Sequence, residues 1–179
     1  SGKGETAFSQ LNKALQGISK SGQTLLFAGR RHFEDTRYSG GSDSLPEFNK
    51  VQCSRRKPPL LDLDFDVWHL RAFNRDFYFM PDHVLVYDGA RMGGVNYGNL
   101  EVSTQTEVTQ ARGLATLTRD ARVVGKTHQF VNNDGSPDQR FNNNREIPLI
   151  EYGVLTLGGS GLDISLFVTN QKFAKSVKP

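Results

Sequence analysis

One cysteine among 179 residues is the first limit this sequence sets. Cys53 alone can neither close an internal disulfide nor build a cysteine zinc site, a usage that favours a reducing compartment. A buried small hydrophobe is the preferred reading of it over a reactive thiol. No apolar run approaches the roughly 20 residues that a bilayer-spanning helix needs, so no membrane span is expected. The opening does not resemble a signal peptide, but Ser1-Gly2-Lys3-Gly4 reads as a cloning remnant, which weakens that absence as evidence; the cytoplasmic setting expected here follows from the cysteine usage. The four histidines, His32, His69, His83 and His128, show no metal-ligand spacing, and none adjoins a serine or cysteine in a nucleophile motif. These absences name no reaction, no cofactor and no metal ligand set.

What is present fits one globular domain with a proper core: 36% hydrophobic residues, 18 glycines and 12 phenylalanines. The net charge of +3 permits phosphate or acidic partners without demanding them. Local charge is denser, with Arg30-Arg31 and Arg55-Arg56-Lys57 followed at once by Asp62, Asp64 and Asp66.

From Thr6 to Ser19, Ala7, Phe8, Leu11, Ala14, Leu15 and Ile18 fall at helical spacing, with Thr6 as cap. Residues 1–22 therefore read as an amphipathic N-terminal helix behind the remnant, 23–170 as a β-rich domain and 171–179 as a basic tail. The stretch Tyr38 to Ser44, within a region near 36–45, has little to bury and reads as a mobile loop. Beyond it, Leu61, Leu63, Phe65 and Val67 alternate with Asp62, Asp64 and Asp66, which predicts a half-buried strand with three carboxylates outside. Phe77 to Met80, His83 to Tyr87, Leu149 to Leu157 and Leu162 to Val168 predict further strands, the last two joined as a hairpin across Gly158-Gly159-Ser160-Gly161. Val108 to Leu117 is a candidate short helix. The sum is a mainly β fold, an antiparallel barrel or sandwich, carrying the N-terminal helix.

The longest polar run, Asn132 to Arg145, is where a ligand surface is expected. A connection so long without regular structure is uncommon in a compact domain unless it is functional or disordered. An EF-hand reading fails, because setting Gly135 in the glycine place puts Phe130 and Phe141 where oxygen ligands belong. Asn and Asp hold turns through bonds to their own backbone, so Asp134, Asp138, Asn142, Asn143 and Asn144 could shape the loop while Arg140 and Arg145 carry its charge. Arginines beside free backbone N–H groups suit a phosphate or carboxylate. Arg55, Arg56 and Arg91 are expected to complete that surface.

Other arrangements compete with it. Aspartates two apart on a strand lie about 7 Å from one another, which suits a hard divalent ion. That makes a metal-dependent phosphoesterase or nuclease using Asp62, Asp64 and Asp66, with His128 as base, the alternative function. From Trp68 to Phe79, aromatics interleave with Arg71 and Arg75, the pattern a single-strand nucleic-acid binder uses, although a core strand would be aromatic too. A protein-interaction domain whose Ser39–Ser44 loop orders on a partner is a third reading.

Phe79 to Gly89, Val95-Asn96-Tyr97, and Asn133 to Arg145 with Ile147-Pro148 together resemble a bacterial domain of unknown function that tends to lie C-terminal in larger proteins. The resemblance covers roughly Phe48 to Asn170. It implies an intracellular bacterial origin and one folding unit for both motifs, and brings no activity. The expectation is a non-catalytic binding or regulatory module for an anionic ligand or a protein partner.

Overall fold

The computed structural model describes residues 2–32, 44–111 and 118–177. Helix α1 (Gly2–Ser19) leads into strands β1 (Thr24–His32), β2 (Ser44–Val51), β3 (Cys53–Arg56), β4 (Val67–Ala72), β5 (Arg75–Phe79), β6 (His83–Asp88) and β7 (Arg91–Asn96). A 3-10 turn over Tyr97–Asn99 precedes β8 (Glu101–Gln110), β9 (Arg122–His128), β10 (Glu146–Gly159), β11 (Leu162–Val168) and the short helix α2 (Phe173–Ser176).

The strands form two antiparallel sheets, one ordered β2-β1-β11-β10-β8 with β9 also on β10, the other β3-β4-β5-β6-β7. Neither closes into a barrel among the described residues. Strand β10 is long enough to share its length, pairing β11 over Gly153–Gly159 and β9 over Glu146–Glu151. The second sheet is a meander with tight turns, as the Pro81-Asp82 and Asp88-Gly89 signals predict.

Helix α1 buries Ala7, Leu11, Ala14, Leu15 and Ile18 on a single stripe. That stripe meets Leu26, Leu155, Leu157, Ile164, Leu166 and Val168 of the first sheet and Leu70, Phe77, Phe79 and Val84 of the second in one core. The helix starts earlier than its expected cap, and Thr6 Oγ1 donates back to the Gly2 carbonyl at 2.7 Å instead of capping. The predicted β10–β11 hairpin is present, turning through Gly159, Ser160 and Gly161 at positive φ. No described helix is long and apolar enough to cross a membrane.

Three expectations change. Leu61 to Asp66 is not a strand: β4 begins at Val67. Two prolines remove backbone donors just upstream, Leu60 takes φ 65°, and Leu63 N–H bonds to the Leu61 carbonyl at 3.2 Å, so the segment cannot join a ladder. It lies over the second sheet instead, pinned by Tyr87 OH donating to the Pro59 carbonyl at 2.5 Å, with Leu63 packed on Val67, Tyr78, Met80, Leu85 and Tyr87. Val108 to Gln110 belong to β8 rather than to a helix, because the β10 ladder continues through them; 112–117 lie outside the described residues. Within the segment read as a tail, Phe173, Ala174 and Val177 are buried in the main core. Residues 36–43 of the expected mobile loop also lie outside the described residues, and Ser44 starts β2.

Candidate functional site

The polar loop spends most of its polar groups on itself. Asp134 accepts from Ser136 N–H at 3.0 Å and Ser136 Oγ at 2.6 Å, and Asn132 Nδ2 donates to Ser136 Oγ at 2.9 Å. Asn144 clamps the loop's two ends, accepting from Phe130 N–H at 2.8 Å and donating to the Phe130 carbonyl at 2.6 Å. Asp138, the buried carboxylate, takes Arg140 through its backbone N–H, Nε and Nη2, the last at 2.6 Å. Those Arg140 bonds hold Asp138 below the usual carboxylate range, and the Ser136 bonds do the same for Asp134. Phe130 and Phe141 stack at 4.0 Å between centroids, so the loop has its own small apolar base. Asn142, Asn143 and Arg145 remain exposed and make no side-chain bond among the described residues.

The helper arginines do not gather on this loop. Neighbouring residues of a strand point to opposite faces, so Arg55 and Arg56 part company. Arg55 turns to the helix side, 5.0 Å over the Trp68 ring, and donates to the Asp66 carbonyl at 2.6 Å. Arg56 leans toward Ser54 on the other face. Arg91 sits on β7, the far edge of that sheet, four strand spacings or roughly 19 Å away. No hydrogen bond or ion pair among the described residues joins any of the three to the loop.

The metal and nucleic-acid arrangements also lose their geometric premises. Without the strand, the regular spacing expected of Asp62, Asp64 and Asp66 is gone, and all three are exposed. Among the described residues no group of three or more His, Cys, Asp and Glu side chains could hold a metal ion. His128 lies at the end of β9 opposite Glu146, away from those aspartates in the pairing. Of the aromatic run, Phe77 and Phe79 face the core, and Trp68 lies under Arg55 with its Nε1 donating to Asn12 at 3.0 Å. Phe73 alone of that run is an exposed large hydrophobic.

A different place concentrates charge. Where the β1–β2 end of one sheet meets β3, β4 and β5 of the other lies a groove of about 710 Å³. Its polar rim includes Lys50, Arg56, Arg71, His69 and Asp76, with Phe73 and Asn74 at the hairpin end. Register explains the cluster. A two-residue turn, Phe73-Asn74, pairs Arg71 with Asp76 and His69 with Tyr78, while β3 sets Ser54 beside His69. His69 and Arg71, two apart, therefore share a face with Ser54, Arg56 and Asp76.

Asp76 bridges that face, bound by His69 Nε2 at 2.7 Å and Arg71 Nη1 at 2.6 Å. A carboxylate accepts, so Nε2 carries the imidazole proton and Nδ1 holds a lone pair. That Nδ1 is buried and has no partner, in a residue 4% exposed. An unsatisfied buried acceptor of this kind costs roughly 1–3 kcal/mol. Burial lowers the His69 pKa; the Asp76 bond opposes this, and the charges of Arg56 and Arg71 add to it. With the imidazolium disfavoured, the groove's lining carries three cations and one carboxylate. Ser54 makes no bond to His69, so a nucleophile–base contact is not formed.

Both turn residues have positive φ, 52° at Phe73 and 60° at Asn74. Asn tolerates that region; a phenylalanine there is an outlier of order 1–3 kcal/mol, held over the groove mouth by the hairpin.

The sequence pattern places Arg71 and Phe73 in the Trp68–Phe79 run of the nucleic-acid reading and sets His69 aside as unspaced, but it marks neither Lys50 nor Asp76 and does not join these residues in one groove. The signal was available in Ala72-Phe73-Asn74-Arg75: read as a hairpin turn, it fixes the register that joins Arg71 to Asp76. No family profile, curated protein or solved structure matches the chain.

Proposed function

We propose that the chain is a non-catalytic binding module whose ligand is a small anion seated in the groove between the two sheets. The helix and sheets form a sandwich-like scaffold, and the groove opens at its polar end. The observation that supports this reading is that Lys50, Arg56 and Arg71 line one groove whose lining holds a single carboxylate, Asp76, beside the buried His69. Arg56 keeps most of its fork free, with one contact to Ser54 at 3.4 Å, and guanidinium forks match phosphate and carboxylate oxygens two at a time. The groove volume falls within the span of small-molecule sites, roughly 300–1,000 Å³. The single buried cysteine suits a cytoplasmic setting.

Inorganic phosphate and citrate are the first probes, since a ligand that binds only the native state raises its stability. Both should raise the melting temperature of the wild type, and Arg56→Gln should remove most of that rise while leaving the ligand-free melting temperature within a degree or two. Equal stabilisation of wild type and Arg56→Gln would place the anion elsewhere.

The outer side of the polar loop supports a second reading, a protein-partner surface. Asn142, Asn143 and Arg145 are exposed on a loop whose other polar groups are internally bonded, so they are presented at little further ordering cost.

A further inference from the structure

Resting on the groove as an anion site, we propose that its ligand is a nucleoside monophosphate: an oxyanion held by Arg56 and Arg71 and a flat ring stacked on Phe73. Four features combine to select this class. Arg56 and Arg71 line the same groove on the same sheet face, in register to either side of His69, and Arg71 still has donors beyond the one it gives Asp76. The half-exposed Phe73 is 51% accessible, lines the same groove, and occupies a backbone conformation that an asparagine or glycine would adopt with less strain. A ring kept there against local preference, beside Asn74 with an amide to offer, suits stacking on a planar heterocycle. Arg71 and Phe73 are two residues apart, roughly 7 Å of extended chain, so one ligand can span anion and ring. The buried Nδ1 of His69 adds an acceptor without a donor at the groove wall, where a ligand hydroxyl could satisfy it after a small side-chain shift.

The other aromatics nearby cannot serve. Tyr78 is buried under His69 with ring centroids 4.7 Å apart, and Trp68 lies on the opposite face. A polymer is also the poorer occupant, since a strand of nucleic acid needs successive exposed rings and this groove offers one among the described residues.

Calorimetric titration of the full chain with inorganic phosphate, AMP, UMP, adenosine and a short oligouridine decides the matter. The expected result is AMP or UMP binding at least tenfold tighter than phosphate, with adenosine weak. Phe73→Asn, which suits the turn and keeps the fold, should reduce the monophosphates to the affinity of phosphate and leave phosphate unchanged. Arg56→Gln should weaken both. Phosphate binding that depends on Arg56, with monophosphates no tighter or insensitive to Phe73→Asn, would overturn the nucleotide assignment and leave the anion groove standing. No binding of any anion would remove the groove reading and this inference together. An oligouridine bound more than tenfold tighter than UMP would overturn the assignment in favour of a strand.

Discussion

At Cys53, burial pushes the thiol up to about 12, so almost none of it is thiolate at neutral pH. A disulfide exchange reagent should therefore leave the folded protein essentially unlabelled and label one thiol per chain once guanidinium unfolds it. His69 works on stability rather than reactivity. Its folded pKa lies below the unfolded value of about 6.5, because burial disfavours the imidazolium. Below that unfolded value the unfolded chain takes up the proton first, so the His69 contribution is complete above about pH 6.5 and is lost as pH falls toward the folded pKa. Urea midpoints at about pH 7.5 and about pH 5.5 should fall less in His69→Gln than in the wild type. An equal fall in both proteins would mean that His69 titrates normally.

Among the elements, the polar loop is the one whose composition misleads. Its Asn and Asp residues suit both a ligand surface and the turns that shape the loop, and most serve the turns: Asn144 bonds both backbone groups of Phe130, and Asp138 holds Arg140. Asn144→Ala would leave Phe130's N–H without its partner, while the Phe130 carbonyl keeps the Asp138 N–H at 3.1 Å, and should cost about 1 kcal/mol in a denaturation titration. The two turns that the sequence announced with glycines and prolines were legible, as were α1 and the β10–β11 hairpin, because their signals are local. The Leu61–Val67 alternation was misread because a period of two is shared by a strand and by an irregular segment that drops one side chain, Leu63, onto a sheet. The groove was not legible. It depends on cross-strand register set by Phe73-Asn74, a turn lacking the expected glycine, and on the meeting of two sheets that no local pattern encodes.

For the molecule as a whole, the C-terminal turn is a wedge rather than an appendage. Phe173 packs so closely on Gly153 of β10 that a Cβ there would lie 2.5 Å from its ring, and Thr104 of β8 donates to the Ala174 carbonyl at 3.3 Å. Gly153→Ala should therefore overpack this contact and destabilise the protein by about 1–3 kcal/mol, seen as a lower urea midpoint with unchanged slope. The same core joins α1, both sheets and α2, and so holds in place the groove that Lys50 of one sheet and Arg56 and Arg71 of the other line together.

That convergence is the central claim, and backbone amide NMR during a phosphate titration tests it most directly. Saturable shifts confined to residues 49–56 and 69–76 are expected, absent in Arg56→Gln, with residues 130–145 silent. Saturable shifts in 130–145, with the groove silent, would contradict it.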